Sequence, residues 1–314
     1  MVNGIELSRR YYETEVAPAL AGVRHAAALL GEGSEVLGYD DQVSTDHDFG
    51  SRVQVFRTDR DTVGEFFAAR LGFDPGAGVA VADWLLTPTQ LLASLTRGAV
   101  FHDPDGELAR YRAALAWYPD DVWRYALAAG WLKVAQEEPF VGRTGSTGDD
   151  LGSRMLAGRL ARELVRLSFL VERRWTPYGK WLGRAFAGLG LAATAGPLLA
   201  GALAAAGWRE REKQLVAAAQ VVAEATNALG LCPPVDPAPR PFYSRDIRVL
   251  DAQRFTVALC EPITDPVLRA VIDRVGRRED TVARLPGTID QAVDSTDVLS
   301  NPDRFRAAAP MLGL

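Results

Sequence analysis

The sequence predicts an α+β protein, with a small mixed sheet flanked by helices over residues 1–105 and a mainly α-helical region over residues 106–314. In the first third, short apolar runs alternate with helical patterns: AAALL, SRVQVF and GVAVADWLL all read as extended segments. From Gly106 onward apolar residues recur at helical spacing almost without a break. The 314 residues suffice for two domains, or for one large core with an appended lobe.

Composition narrows the function. A 48% hydrophobic and 24% charged chain is that of an ordinary globular protein. A net charge of −5 and a pI near 5.4 give no general polyanion-binding surface, so long nucleic acid is not an expected partner. Cys232 and Cys260 cannot build a disulfide framework, and His25, His47 and His102 make no zinc set. The opening MVNGIELSRRYYETE is too polar for a signal peptide, so a reducing cytoplasm is the expected setting. Residues 185–208 carry no charge and are long enough to span a bilayer, but are mostly alanine and glycine. A pair of buried helices, the second opening at Pro197, is expected there instead of a membrane span.

Taken in order, residues 5–27 read as a helix and 26–30 as a short strand leading to Gly33-Ser34. A polar loop follows, in which Asp40 and Asp41 either bond backbone as turn residues or join a metal site. Residues 46–56 read as the central strand. In it Arg52 falls on the same face as Asp48, placed either to steady a triphosphate or to pair with an acid. A capped helix covers 61–71, and residues 76–86 read as extended, with Asp83 their one acid. Thr87-Pro88 opens the next helix, and FHDPDG is a turn holding Asp103.

Helices are expected at 107–117, 120–136 and 151–174, the last with a stripe of Leu156, Leu160, Leu164, Leu167 and Val171 that belongs to the core. Between them QEEPFVGRTGSTGDD reads as a polar loop. In it Glu138 is a candidate general base, and Asp150 a helix cap. Tyr178, Lys180 and Trp181 offer a phenol, a cation and an indole together, suited to a base or phosphate or to ordinary packing. CPPVDPAPRP reads as a stiff extended linker, RDIRVL as a strand, and 265–275 as the last helix. The acidic tail from Leu285 is either an arm folding back or a loose terminus.

The segment with most chemistry is GSEVLGYDDQVSTDHDFGSR at residues 33–52. Gly33 permits close approach of backbone to a phosphate, and Ser34 adds a hydroxyl and an N–H where a helix is expected to begin. On a strand Asp46 and Asp48 share one side, with His47 and Phe49 on the other. Two adjacent carboxylates repel unless a cation lies between them, and magnesium takes such hard oxygen ligands together with phosphates.

A Gly-Ser pair, eleven residues, then Asp-x-Asp resembles the signature of the nucleotidyltransferase superfamily, the group of kanamycin nucleotidyltransferase and the β-type DNA polymerases. The fuller string, with YPDDVW, EEPFVGR, GDDLGSR, YGKWLG and DQAVDSTD, resembles one branch more closely. That branch is a bacterial family of uncharacterised proteins joining such a domain to a helical C-terminal region. The resemblance implies a nucleotidyltransferase-like domain at 1–105 and magnesium at Asp46 and Asp48, with two ions expected. A third carboxylate is implied on the strand after the helix, for which Asp83 is the candidate and Asp103 the reserve. Gly33, Ser34, Arg52 and Lys180 are the expected nucleotide contacts, with ATP the default donor and a small-molecule hydroxyl the acceptor. The alternative is a nucleotide-binding regulator or partner-binding protein on the same fold. An EF-hand spacing, a GxxxxGK[ST] loop and an HRD…DFG set are all absent from the sequence.

Overall fold

The computed structural model describes residues 3–40, 50–274 and 284–314, together with the backbone of 277–278 and 281–282. It is mostly helical with small antiparallel sheets, an α+β fold in which helices dominate. The chain divides into two compact units. The first takes Met1–Trp117, Trp175–Trp181 and Val293–Ala309; the second takes Tyr118–Arg174, Leu182–Ala292 and Pro310–Leu314.

In the first unit, helix α1 (Gly4–Tyr11) is capped by Asn3 and runs on through a π-helical stretch, Tyr12–Val16, to Ala19. Strand β1 (Ala26–Leu29) is buried along its whole length. It is the centre of a three-stranded sheet of order β2-β1-β3, with β2 (Gln54–Phe56) and β3 (Ala99–His102) at the edges. Both pairings are antiparallel, with Ala28 opposite Gln54 and Leu29 opposite Ala99. The sequence reading had a mixed sheet centred on the strand of residues 46–56. Among the described residues that strand is only Gln54–Phe56, and it is an edge.

Helix α2 (Val63–Leu71) begins at a Thr62–Glu65 capping box and ends at Gly72, whose φ of 76° closes the last turn. The run expected as a third strand is instead helix α3 (Val81–Leu86), with Asp83 at its N3 position. Helix α4 (Thr89–Thr96) follows Pro88, and α5 (Glu107–Ala114) follows β3. Trp175 packs between Trp84 and Trp117, its ring centroid 4.4 Å from that of Trp117. The residues of the expected loose tail are built in. The helix Pro302–Ala307 buries Phe305 completely, and Gln90 Nε2 donates to Leu299 O at 3.3 Å.

The second unit is helical. Helix α6 (Asp120–Glu137) is buried on most faces and packs against α8 (Asp150–Val171) and α11 (Gln253–Cys260). The segment expected as a polar loop contains helix α7 (Phe140–Ser146). Asp149, not Asp150, caps α8, accepting from Gly152 N at 2.8 Å. Asp150 instead pairs with the fully buried Arg211 at 2.9 Å.

The alanine-rich stretch forms helix α9 (Ala192–Ala204), which packs along α10 (Trp208–Ala228). Pro197 lies inside α9 instead of opening it. Ala193 and Pro197 are both exposed, so the carbonyl that proline leaves unpaired faces water. Among the described residues no helix is long and apolar enough to cross a membrane. The proline-rich stretch is extended but stays within this unit, pinned where the Asn227 amide bonds both N–H and C=O of Val235. A two-stranded ribbon of β4 (Arg240–Pro241) and β5 (Arg248–Val249) leads into α11. Residues Ile289–Ala292 sit on α6, with Gln291 Nε2 donating to Ala126 O at 2.8 Å and Lys133 to Gln291 O at 3.0 Å.

Candidate functional site

The described part of the candidate site is the turn that leaves β1. Leu30 is bound on both backbone groups by the Gln54 side-chain amide, at 2.9 and 3.0 Å, which extends the sheet past its last ladder bond. Gly31 N then donates to Ser94 O at 3.0 Å. Gly33 has a φ of 131°, and a Cβ there would lie 2.5–2.6 Å from Glu35 Oε1 and Arg52 Nη2. The backbone angle favours glycine, while the crowding atoms are the far ends of flexible side chains that can give way. Ser34 opens a single turn and not a regular helix: Tyr39 N donates to Ser34 O at 2.9 Å and Gly38 N to Glu35 O at 3.0 Å.

Beneath the turn lies an ion pair. Glu35 is 4% exposed, and its carboxylate takes the Arg52 guanidinium, which also donates to Glu32 O at 2.6 Å. Of the two roles open to Arg52, the structure shows the pairing with an acid, and the acid is Glu35. Sequence reasoning did not single out Glu35. Asp40 accepts from Gly4 N at 2.8 Å, placing a carboxylate on the N-terminus of α1, where the helix dipole favours it. Asp41, Ser44, Asp46 and Asp48 lie outside the described residues. The chain that follows them, from Gly50 to Arg52, enters β2 at the end of the sheet where β1 runs into Gly33.

Each of the two acids proposed for a third ligand is engaged by protein groups. Asp83 is on a helix, where its Oδ2 accepts from Ala80 N at 3.0 Å and its Oδ1 pairs with Arg306 at 2.7 Å. Asp103 follows β3 at the opposite end of the sheet, since His102 stands across from Ala27, and its carboxylate caps α5 through Leu108 and Ala109. Among the described residues no group of three His, Cys, Asp or Glu side chains is spaced to hold a metal ion.

Lys180 does come into the same region. Tyr39, the last residue of the turn, has its ring 5.5 Å from that of Trp181, and Arg97 Nη1 donates to both Tyr39 OH and Leu37 O at 3.1 Å. Lys180 Nζ stands 4.8 Å from the Trp181 ring, whose Nε1 donates to Tyr178 OH at 2.7 Å. Trp181 is buried, so the cluster anchors the turn and leaves Lys180 as its exposed cation.

A family model described as a domain of unknown function, DUF4037, matches residues 84–182. No curated protein matches the chain, and no solved structure does. The matched stretch takes in Tyr178, Lys180 and Trp181 but not Gly33–Asp48, so the motif and the family match fall on different parts of the chain.

Glu138, the candidate base, belongs to the second unit. Its two oxygens accept from Leu250 N and Ala252 N at 2.8 and 2.9 Å, and burial pushes its carboxyl up to about 7. It holds the start of α11, a structural task.

Proposed function

We propose that the protein is a magnesium-dependent nucleotidyltransferase, moving a nucleoside monophosphate from a nucleoside triphosphate, ATP by default, to a hydroxyl of a small molecule. The observation that carries the proposal is where the two described flanks of the Gly33-Ser34…Asp46-x-Asp48 string fall. Its glycine occupies a positive-φ position in the turn just past the end of the central strand. Its downstream flank, Gly50–Arg52, enters the neighbouring strand at that same end. The donor set is two carboxylates, hard oxygens of the kind magnesium takes. Asp46 and Asp48 would hold the metal, which supplies charge neutralisation on the phosphates and lowers the pKa of the acceptor hydroxyl. Ser34 and the turn's backbone would orient the phosphates, and the Arg52–Glu35 pair keeps that turn in place. The proposal rests on Asp46 and Asp48; Asp83, the expected third carboxylate, serves Ala80 and Arg306. That engagement also favours the alternative, a protein that binds nucleotide without transferring it.

Calorimetric titration of the four ribonucleoside triphosphates, with and without magnesium, tests the reading. Magnesium-dependent binding of one of them is expected, weakened at least about tenfold by Asp48→Asn, a loss of roughly 1.4 kcal/mol. Binding by none of the four would overturn it. Magnesium-dependent binding with no turnover across a panel of small hydroxyl acceptors would leave the alternative.

A further inference from the structure

We propose that the ribbon of β4 and β5, with α7 and the start of α10, forms a surface of the second unit that binds single-stranded nucleic acid. Tyr243 would stack a base there, and Arg143 and Arg245 would hold phosphates. The tip of the ribbon is residues 242–247, closed by Phe242 N donating to Ile247 O at 2.9 Å and Arg245 N to Phe242 O at 3.1 Å. Tyr243 stands on it 84% exposed, the highest value of any large hydrophobic side chain among the described residues. Its φ is 53°, a left-handed conformation that a residue carrying a Cβ adopts only at a cost. Its ring meets that of Phe242 at 75°, with centroids 4.8 Å apart, and this edge contact leaves most of the tyrosine in water. An exposed aromatic in a disfavoured backbone conformation gains little within the fold, and such strain persists where a surface has another task.

Neighbouring elements supply the charge. Helix α7 lies against the ribbon and against α10, since a Cβ on Gly142 would stand 3.0 Å from Ile247 and one on Gly145 2.3 Å from Trp208. On its exposed side the Arg143 guanidinium lies 5.3 Å from the Phe140 ring, and at the start of α10 that of Arg209 lies 4.4 Å from Trp208. Arg143 and Arg245 are both exposed, and neither has an acid partner among the described residues. The acids around them are engaged: Asp246 pairs with Arg209 at 2.6 Å, Asp236 with Arg240 at 2.8 Å, and Asp149 caps α8. The Arg209–Asp246 pair is an exposed bridge of the kind a phosphate can replace. Exposed rings and unpaired guanidinium groups together select the partner. An acidic peptide satisfies the arginines but gives Tyr243 no base to stack on, and a duplex presents phosphates with its bases already stacked. A single strand offers an open π-face and a phosphate at every nucleotide. The chain's net charge of −5 gives no general polyanion surface, so this one is local and its affinity modest.

The test is fluorescence anisotropy of a fluorescein-labelled oligothymidylate of about twelve nucleotides, titrated with the full chain. The same strand annealed to its complement, and a labelled oligoglutamate peptide, are the comparisons. Saturable binding of the single strand is expected, with the duplex and the peptide bound at least about tenfold more weakly. With two phosphate contacts, affinity is expected to fall about sevenfold between about 50 and about 200 mM salt. Tyr243→Ala is expected to weaken binding about tenfold, and Tyr243→Phe, which keeps the ring, to leave it unchanged. Arg143→Ala and Arg245→Ala are each expected to reduce the salt slope by about 0.7. All three side chains are exposed, so their loss leaves the core intact. No saturable binding of the strand overturns the proposal, as does a Tyr243→Ala variant that binds as well as the wild type. A duplex bound as tightly would leave charge alone at work, and a peptide bound as tightly would make the partner an acidic protein; either result overturns the single strand.

Discussion

Glu35 and Arg52 show what one pair does for the turn that holds Gly33. The glutamate is almost wholly buried while a third of the arginine side chain is exposed, so the pair is worth less than a fully buried one but more than a surface bridge. Removing either partner strands the other. Arg52→Ala leaves a buried carboxylate unpaired and is expected to cost about 2 kcal/mol. Glu35→Gln, which keeps the shape and loses the charge, is expected to cost about 1 kcal/mol. The double variant is expected to lose about 1 kcal/mol less than the sum, as chemical denaturation of all four proteins would measure. Additive losses would show that the pair does not support the turn. Nothing in the local sequence marks Glu35, because its partner lies 17 residues on and the glutamate belongs to no motif. Motif acids draw attention in a sequence; buried acids that hold a motif in place do not.

At the scale of elements, β1 was readable and α3 was not, for a common reason. AAALL is a short apolar run between polar flanks, and its length permits little besides a buried strand. VAVADWLL is equally short and apolar, but its acid at N3 closes on the Ala80 N–H and turns the run into a helix. Periodicity over so few residues cannot separate the two, and the valines favoured the wrong one. The loop of residues 136–150 failed differently: glycine and polar residues suggested irregular chain, yet α7 forms because Val141 and Gly142 are buried. Gly98 ties these elements together. It has a φ of 75°, an added Cβ would meet Leu29 O at 2.0 Å, and its N–H donates to Val36 O at 2.9 Å. Gly98→Ala must therefore push β3 away from the end of β1 that carries Gly33. A loss of at least about 2 kcal/mol in stability is expected, from the left-handed backbone and the displaced strand together. Magnesium-dependent nucleotide binding should weaken in the same variant. Unchanged stability would show that β3 can shift without cost.

The whole molecule is built from discontinuous pieces, which the sequence does not announce. Each unit draws on at least three segments, and the first is completed by residues 175–181 and 293–309. Contacts such as Gln90 with Leu299 span 209 positions, a separation at which no local pattern carries information. The charge of the tail misleads as well, since acidic residues outnumber basic ones from Leu285 onward while Phe305 within it is completely buried. That burial makes a sharp expectation. Phe305→Ala removes a core side chain of the first unit, and a loss of about 3–5 kcal/mol is expected there. Hydrogen exchange followed by mass spectrometry should then show faster exchange through β1, α2 and the helix Pro302–Ala307, with protection in α6 and α8 retained. The units are separate cooperative bodies only if the loss stays on one side. Faster exchange spread evenly over α6 and α8 would instead make the chain one cooperative structure, in which the late segments stabilise everything at once.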